Sequence, residues 1–213
     1  MSMAPYKHDY GQTITNDADC SNRRVFLTDV HFAAEQAVAA DADGIVDGAE
    51  ATTGAEAEAL VITPEDDAFL TQPPCARNLT VVVAATTAGD VAAGDIVITG
   101  KNQAGEAISE NFTVTADTPA TIVGSKAFAE IDSIVVPVQD GDSVTVDVGW
   151  GSKLGLGYKL AHNTVMAAYR NNTKEGTAPS VATSATVLES NTATLNNALN
   201  GSPVDIYLMV PTG

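Results

Sequence analysis

LTVVVAATTAGDVAAGDIVITGKNQAGEAISENFTVT, residues 79–115, is the stretch that decides the fold. Leu79 to Ala85 and Asp95 to Thr99 are short runs rich in Val and Ile, and Ala107 to Thr115 is a third candidate of strand length. Gly89-Asp90, Gly94-Asp95 and the passage from Gly100 to Gly105 punctuate them. Strand-length, β-branched segments separated by turn residues predict antiparallel β-structure. The pattern continues outward through Thr121 to Val123, Ile131 to Val138 and Val144 to Val148, with Asp140-Gly141-Asp142 as a turn. Beyond the glycine-rich passage Gly149 to Gly157, which is expected to end a strand and start a loop close to Trp150, come Thr164 to Tyr169, Ser180 to Leu188 and Val204 to Val210. Asn200-Gly201 reads as the turn before the last of these. Val204, Ile206, Leu208 and Val210 alternate, so they share one face of that strand. The expected fold class is all-β: an antiparallel β-sandwich, jelly-roll or Ig-like, with an extended N-terminal arm.

Toward the N-terminus the texture is different. Residues 1–22 mix Tyr6, His8, Tyr10 and small polar residues without periodicity and read as an extended arm, in which Tyr6 and Tyr10 are the candidate contact residues. From Arg24 alternation sets in, with Phe26, Val30 and Phe32 in one parity class and Val25 and Leu27 in the other. Ala33 to Ala40 extends this strand or forms one or two helical turns. Asp41 to Glu58 is rich in Asp, Glu, Gly and Ala and reads as a solvated acidic loop. Asp41, Asp43, Asp47 and Glu50 offer hard oxygen ligands for calcium, but EF-hand spacing fails, with Ile45, Val46 and Thr52 where ligand, glycine and closing glutamate belong. The expected organisation is an arm over 1–22, first strands and the acidic loop over 23–72 packing on the body or a neighbouring subunit, and a sandwich body over 73–213.

Charge bounds the partners. The 213 residues carry 10 Lys and Arg against 27 Asp and Glu, a formal net charge of -17. Nucleic-acid binding needs clustered cations to neutralise phosphates, and docking on an anionic membrane needs them too, so neither partner is expected. The N-terminal stretch has no apolar signal region, and no apolar run approaches the roughly 18 residues of a membrane span. The expectation is synthesis in a cytosol without export by the standard route. There, Cys20 and Cys75 read as two free thiols, with a disulfide as the alternative.

Motifs of reaction chemistry fail on spacing. Ser152 lacks the flanking glycines of a nucleophile elbow, because positions 150 and 154 are Trp and Leu. Gly149, Gly151 and Gly155 are one residue too widely spaced for a dinucleotide fingerprint. His8, His31 and His162 are scattered, without metal-ligand spacing. Asp140 and Asp142 have the spacing of a β-turn, and a hydrolytic pair there is a remote alternative. Four N-x-[ST] matches, starting at Asn78, Asn111, Asn171 and Asn200, carry no weight without an export signal. No catalytic residue, metal or cofactor is expected. Trp150 and Tyr158 are candidates for an assembly interface, or alternatively for an exposed platform that stacks on sugars. Arg23, Arg24, Arg77, Lys153, Lys159 and Arg170 are the cations available to contact an acidic surface, each with the plainer reading of a solvated strand-end charge.

Five phrases carry a resemblance. They are Pro74 to Val81 (PCARNLTV), Gly94 to Gly100 (GDIVITG), Gly105 to Phe112 (GEAISENF), Gly124 to Phe128 (GSKAF) followed by Ile131 to Ile134 (IDSI), and Gly151 to Leu160 (GSKLGLGYKL). In this order they resemble the head-associated structural proteins of tailed bacteriophages. The resemblance covers a little under half of the chain closely and does not reach the arm. It implies a non-enzymatic virion protein with a β-sandwich, a capsid decoration or cement protein on the capsid exterior, or alternatively a receptor- or glycan-binding module of a head or tail fibre or another tail component. The partners it implies are the major capsid protein and the protein itself, as a homotrimer, with synthesis in the host cytoplasm. Within it Tyr6, Tyr10, Arg23, Arg24, Trp150 and Tyr158 are the interface candidates.

Overall fold

The computed structural model describes residues 25–54 and 57–211. Strands dominate, and the helical content of the described residues is limited to single 3-10 turns at Ala88–Asp90 and Leu188–Ser190. The strands are β1 (Val25–Phe32), β2 (Asp41–Glu50), β3 (Leu60–Ile62), β4 (Arg77–Ala85), β5 (Gly94–Lys101), β6 (Ala107–Val114) and β7 (Ala120–Phe128). They continue with β8 (Glu130–Val136), β9 (Val144–Gly155), β10 (Val165–Arg170), β11 (Thr173–Lys174), β12 (Ser180–Ala182), β13 (Thr192–Thr194) and β14 (Val204–Pro211).

All strand ladders are antiparallel and form three sheets. Sheet I runs β1-β14-β10-β11, sheet II runs β12-β13-β9-β4-β7 with β2 added on β9, and sheet III runs β3-β8-β5-β6. The protein is therefore all-β with antiparallel sheets packed on one another, as the alternation predicts. Inward residues of sheets II and III meet in the first core, which includes Leu79, Val81, Ile96, Ile98, Phe112, Ile134, Val146 and Val148. A second core joins sheet I to the far end of sheet II through Phe32, Leu154, Leu156, Ala193, Ile206 and Leu208. Hiding a side chain of this size is worth about 1.5–3 kcal/mol, so both cores hold their sheets by apolar burial.

The twelve-residue β9 is common to both cores. Its first half pairs with β2, through Asp41↔Trp150 and Val46↔Val148, and its end pairs with β13, through Thr192↔Gly155. The expectation that a strand ends at Gly149 fails: the strand continues through the glycines. A Cβ at Gly149 would collide with the Asp41 and Ala42 backbone, and one at Gly151 with the Asn78 amide. Glycine is required there because neighbouring chain comes too close for any side chain.

The acidic loop over 41–58 is also corrected. Most of it is β2, and its bulges against β9 turn both Ile45 and Val46 inward, each fully buried. Acidic residues occupy the wet face of this strand, and composition alone concealed two core side chains among them. The first three strands are built into the body, since β1 pairs with β14, β2 with β9 and β3 with β8. The segment after Phe32 takes the turn alternative, with Gln36 and Ala37 amides donating to Ala33 O. The predicted run Ser180 to Leu188 is strand only over β12.

The tight turns follow residue chemistry. Asn171 and Asn172 both take positive φ, 48° and 60°, in the β10–β11 hairpin, a conformation that Asn tolerates. In the β5–β6 hairpin the buried Asn102 accepts from the Ala104 and Glu106 amides through Oδ1, and Gly105 takes φ 78°.

Candidate functional site

Three of the five quoted phrases converge on one polar hub in sheet II. The ladders of β4 with β7 and with β9 both shift register next to Asn78, which leaves backbone groups without strand partners. The buried Asn78 amide fills these vacancies: Nδ2 donates to Leu79 O and Gly124 O, and Oδ1 accepts from Lys153 N at 2.9 Å. Lys153 Nζ donates to the same Gly124 O at 2.8 Å. Arg77, fully buried, donates from Nη1 to Val38 O at 2.9 Å and from Nη2 to Gly151 O, while its Nε has no partner. Burial lowers the Arg77 pKa to about 10, and the same burial raises that of Cys75 to about 11. Asn78 and Arg77 thus lace β4, β7, β9 and the turn after β1 together. Arg77 is neither a surface contact nor a solvated strand-end charge.

The remaining expected residues are scattered. Tyr6, Tyr10, Arg23, Arg24, His8 and Cys20 lie outside the described residues. Trp150 is 9% exposed, covered by β2 so closely that a Cβ at Gly44 would press on its ring, and its Nε1 donates to Ala39 O at 3.0 Å. Tyr158 packs half-buried on the second core, edge-on to Phe26 with ring centroids 6.3 Å apart. The two rings serve different cores, so the exposed platform for sugars does not form. Arg170 pairs with the buried Glu175 at 3.1 Å and donates to Ala198 O, so it is tied down within its own chain. Asp142 accepts from Thr53 Oγ1 in an exposed turn, and Asp140 is exposed beside it. Asp41, Asp43, Asp47 and Glu50 are strung along β2, and among the described residues no three acidic, His or Cys side chains converge as metal ligands.

What the structure assembles instead is the outer face of sheet I. β14 sends Val204, Ile206, Leu208 and Val210 into the core, as their alternation predicts, and therefore turns Asp205, Tyr207 and Met209 outward. β1 aligns Leu27 with Met209, Asp29 with Tyr207 and His31 with Asp205, while β10 brings Ala167 and Tyr169 to the other side of β14. A bulge between Val165 and Ala167 throws out Met166. Leu27, Met166, Tyr169 and Tyr207 line an open groove of about 510 Å³, in which the two tyrosine rings stand edge to face at 5.6 Å.

Of the nine exposed large apolar side chains among the described residues, four gather here, Val25, Leu27, Met166 and Met209, and a fifth, Phe26, stands at the same end of β1 on its other face. Single exposed apolar residues are ordinary, whereas a cluster marks a contact surface. β1 pairs only with β14 among the described residues, so its other edge presents free backbone donors and acceptors. A polar corner adjoins the groove. His31 Nδ1 lies 2.6 Å from Asp205 Oδ1, and this hydrogen bond holds the imidazole pKa above its usual 6.5. Burial and the neighbouring Asp205 raise the pKa of Asp29, and Asp29 in turn raises that of Tyr207.

The sequence held one sign of this surface. Val25, Phe26 and Leu27 are apolar in both parity classes, which a strand with one wet face does not need. Met166 gave no sign, because only the bulge exposes it.

Fold and surface define a class: an all-β protein of packed antiparallel sheets with an apolar, open-edged sheet end. No protein-family model matches the chain, and no curated protein or solved structure matches it either.

Proposed function

We propose that this chain is a non-enzymatic structural protein of a tailed-phage virion, a capsid decoration or cement protein. It seats on the outer lattice of the major capsid protein, as a homotrimer, and stabilises the head. The observation that carries the reading is the outer end of sheet I. Leu27, Met166 and Met209 stand exposed beside β1, whose outer edge is unpaired among the described residues. Such a surface gains by association, at about 25 cal/mol for each Å² of apolar area removed from water. The free edge of β1 adds directional hydrogen bonds to an extended partner segment.

The quoted phrases support the same reading from another side. Three of the five meet in the hub around Arg77 and Asn78, where they secure sheet geometry, and none of the five places an ionisable group in an open pocket together with a second one. The net charge of -17 keeps particles that carry many copies from clumping and disfavours contact with packaged nucleic acid.

The test adds the purified protein to undecorated heads. Binding that saturates at a fixed number of lattice points, and is lost when Leu27→Asp and Met166→Asp are combined in a variant with an unchanged melting profile, is the expected result. Saturable binding with unchanged affinity in that variant removes sheet I from the reading, and absence of binding by the natural chain removes the reading itself.

A further inference from the structure

At the end of sheet II that carries β12 and β13, a second groove differs in kind. It measures about 280 Å³ and lies where β12 and β13 extend sheet II past the end of β9. Ser180 faces Thr194 across the β12–β13 ladder, and Thr192 sits next to Gly155 of β9. Alternation sends Ala193 to the core and its neighbours Thr192 and Thr194 to the groove, with Ser190 at one end and Lys153 and Ser125 along the side.

One feature separates this groove from an ordinary hydroxyl-rich surface, the fixed ammonium of Lys153 along its side. Thr192 is only 2% exposed, and the little surface it keeps opens into the groove. Lys153 is partly buried, has no carboxylate within salt-bridge distance among the described residues, and uses one of its three ammonium hydrogens on Gly124 O. Two carboxylates border the groove, and each has donors of its own. Glu110 accepts from the Ser125 and Lys126 amides and from Ser125 Oγ, and Glu189 pairs with Lys126 at 3.9 Å and accepts from Asn102. The hub fixes Lys153 in place, because its amide is held by Asn78 and its ammonium by Gly124.

We infer that this groove binds a tetrahedral oxyanion, phosphate or sulfate, free or as the ester group of a sugar. Lys153 Nζ supplies the charge, and the hydroxyls of Thr192, Thr194, Ser180 and Ser190 supply neutral donors around the remaining oxygens. No aromatic face lines the groove, so recognition rests on the oxyanion and not on stacking against a sugar ring. The inference stands on other residues than the lattice surface of sheet I, and either can fail without the other.

The test is amide NMR of the full chain titrated with inorganic phosphate, with inorganic sulfate and with a monosaccharide sulfate, against sodium chloride at matched ionic strength. Saturable shifts confined to β12, β13 and the Lys153 region are expected. Lys153→Gln is expected to weaken binding about tenfold or more, as for loss of a charged hydrogen bond, and the near-isosteric Thr192→Val by roughly threefold or more. Both variants must melt like the natural chain. If the monosaccharide sulfate binds more tightly than sulfate, the ligand is the sugar ester; if the two bind equally, it is the free ion. Shifts that do not saturate, that chloride reproduces, or that persist unchanged in Lys153→Gln overturn the assignment.

Discussion

The sandwich of sheets II and III and the four-stranded sheet I are made from the same kinds of residue, yet they use their outer faces differently. On the sandwich, the exposed apolar side chains Val61 and Val123 stand on separate sheets, Val61 opposite Val135 and Val123 opposite Thr80. On sheet I they gather at one end of β1, on both of its faces and beside a free edge. Glu110 of β6 reaches across to Ser125 and Lys126 of β7, so side-chain bonds tie the rims of sheets III and II together. β1 has no such closure among the described residues. The contrast is between a sandwich whose rims are tied by side-chain bonds and a sheet that leaves apolar side chains and a strand edge exposed among the described residues.

The contrast can be broken most sharply in the sandwich core. Phe112→Ala removes a ring that is 1% exposed, and a loss of about 3–5 kcal/mol is expected. Urea unfolding followed by fluorescence of Trp150, the single tryptophan, measures it. Next is the hub: Asn78→Ala leaves Lys153 N without its acceptor and takes the Nδ2 donor from Leu79 O and Gly124 O, of which Gly124 O keeps Lys153 Nζ, for an expected loss of about 1–3 kcal/mol in the same assay. A loss near zero in either variant means that the sandwich is not the part that holds the molecule together.

Changes on sheet I are expected to act on association instead. Met166→Gln should alter stability by less than about 0.5 kcal/mol while reducing binding of an apolar-surface dye. A large stability loss would show that this surface belongs to the fold and not to a partner.

The smallest effect is the pH response of the corner beside the groove. The folded-state pKa of His31 is raised, so its pair with Asp205 stabilises the β1–β14 contact fully below pH 6.5. That contribution disappears as pH rises through the raised value. Asp205→Asn should return the ring titration, read by NMR, toward 6.5; an unchanged titration would mean that the hydrogen bond does not set it.

Much of the strand pattern was legible because its signal is local. The inward parity of β14, the hairpin at Gly100–Gly105 and the turn at Asn200-Gly201 follow from side-chain alternation and turn chemistry, which need no knowledge of distant chain. β2 was not legible: its acidic composition suggests a loop, and only bulged pairing with β9 turns Ile45 and Val46 inward. Trp150 was misleading for a related reason. Its type suits a binding platform, but β2 lies over it, and nothing local to residue 150 announces that.

By itself, then, the sequence determined the all-β class, the positions of most strands and the acidity that disfavours nucleic acid, because each depends on residue type at short range. Tertiary structure alone decided that Arg77 and Asn78 lace three strands together, that Trp150 is core, and that Leu27, Met166 and Met209 share one open sheet end. Those properties depend on which strands pair and in what register, and pairing joins residues as far apart as Val25 and Pro211.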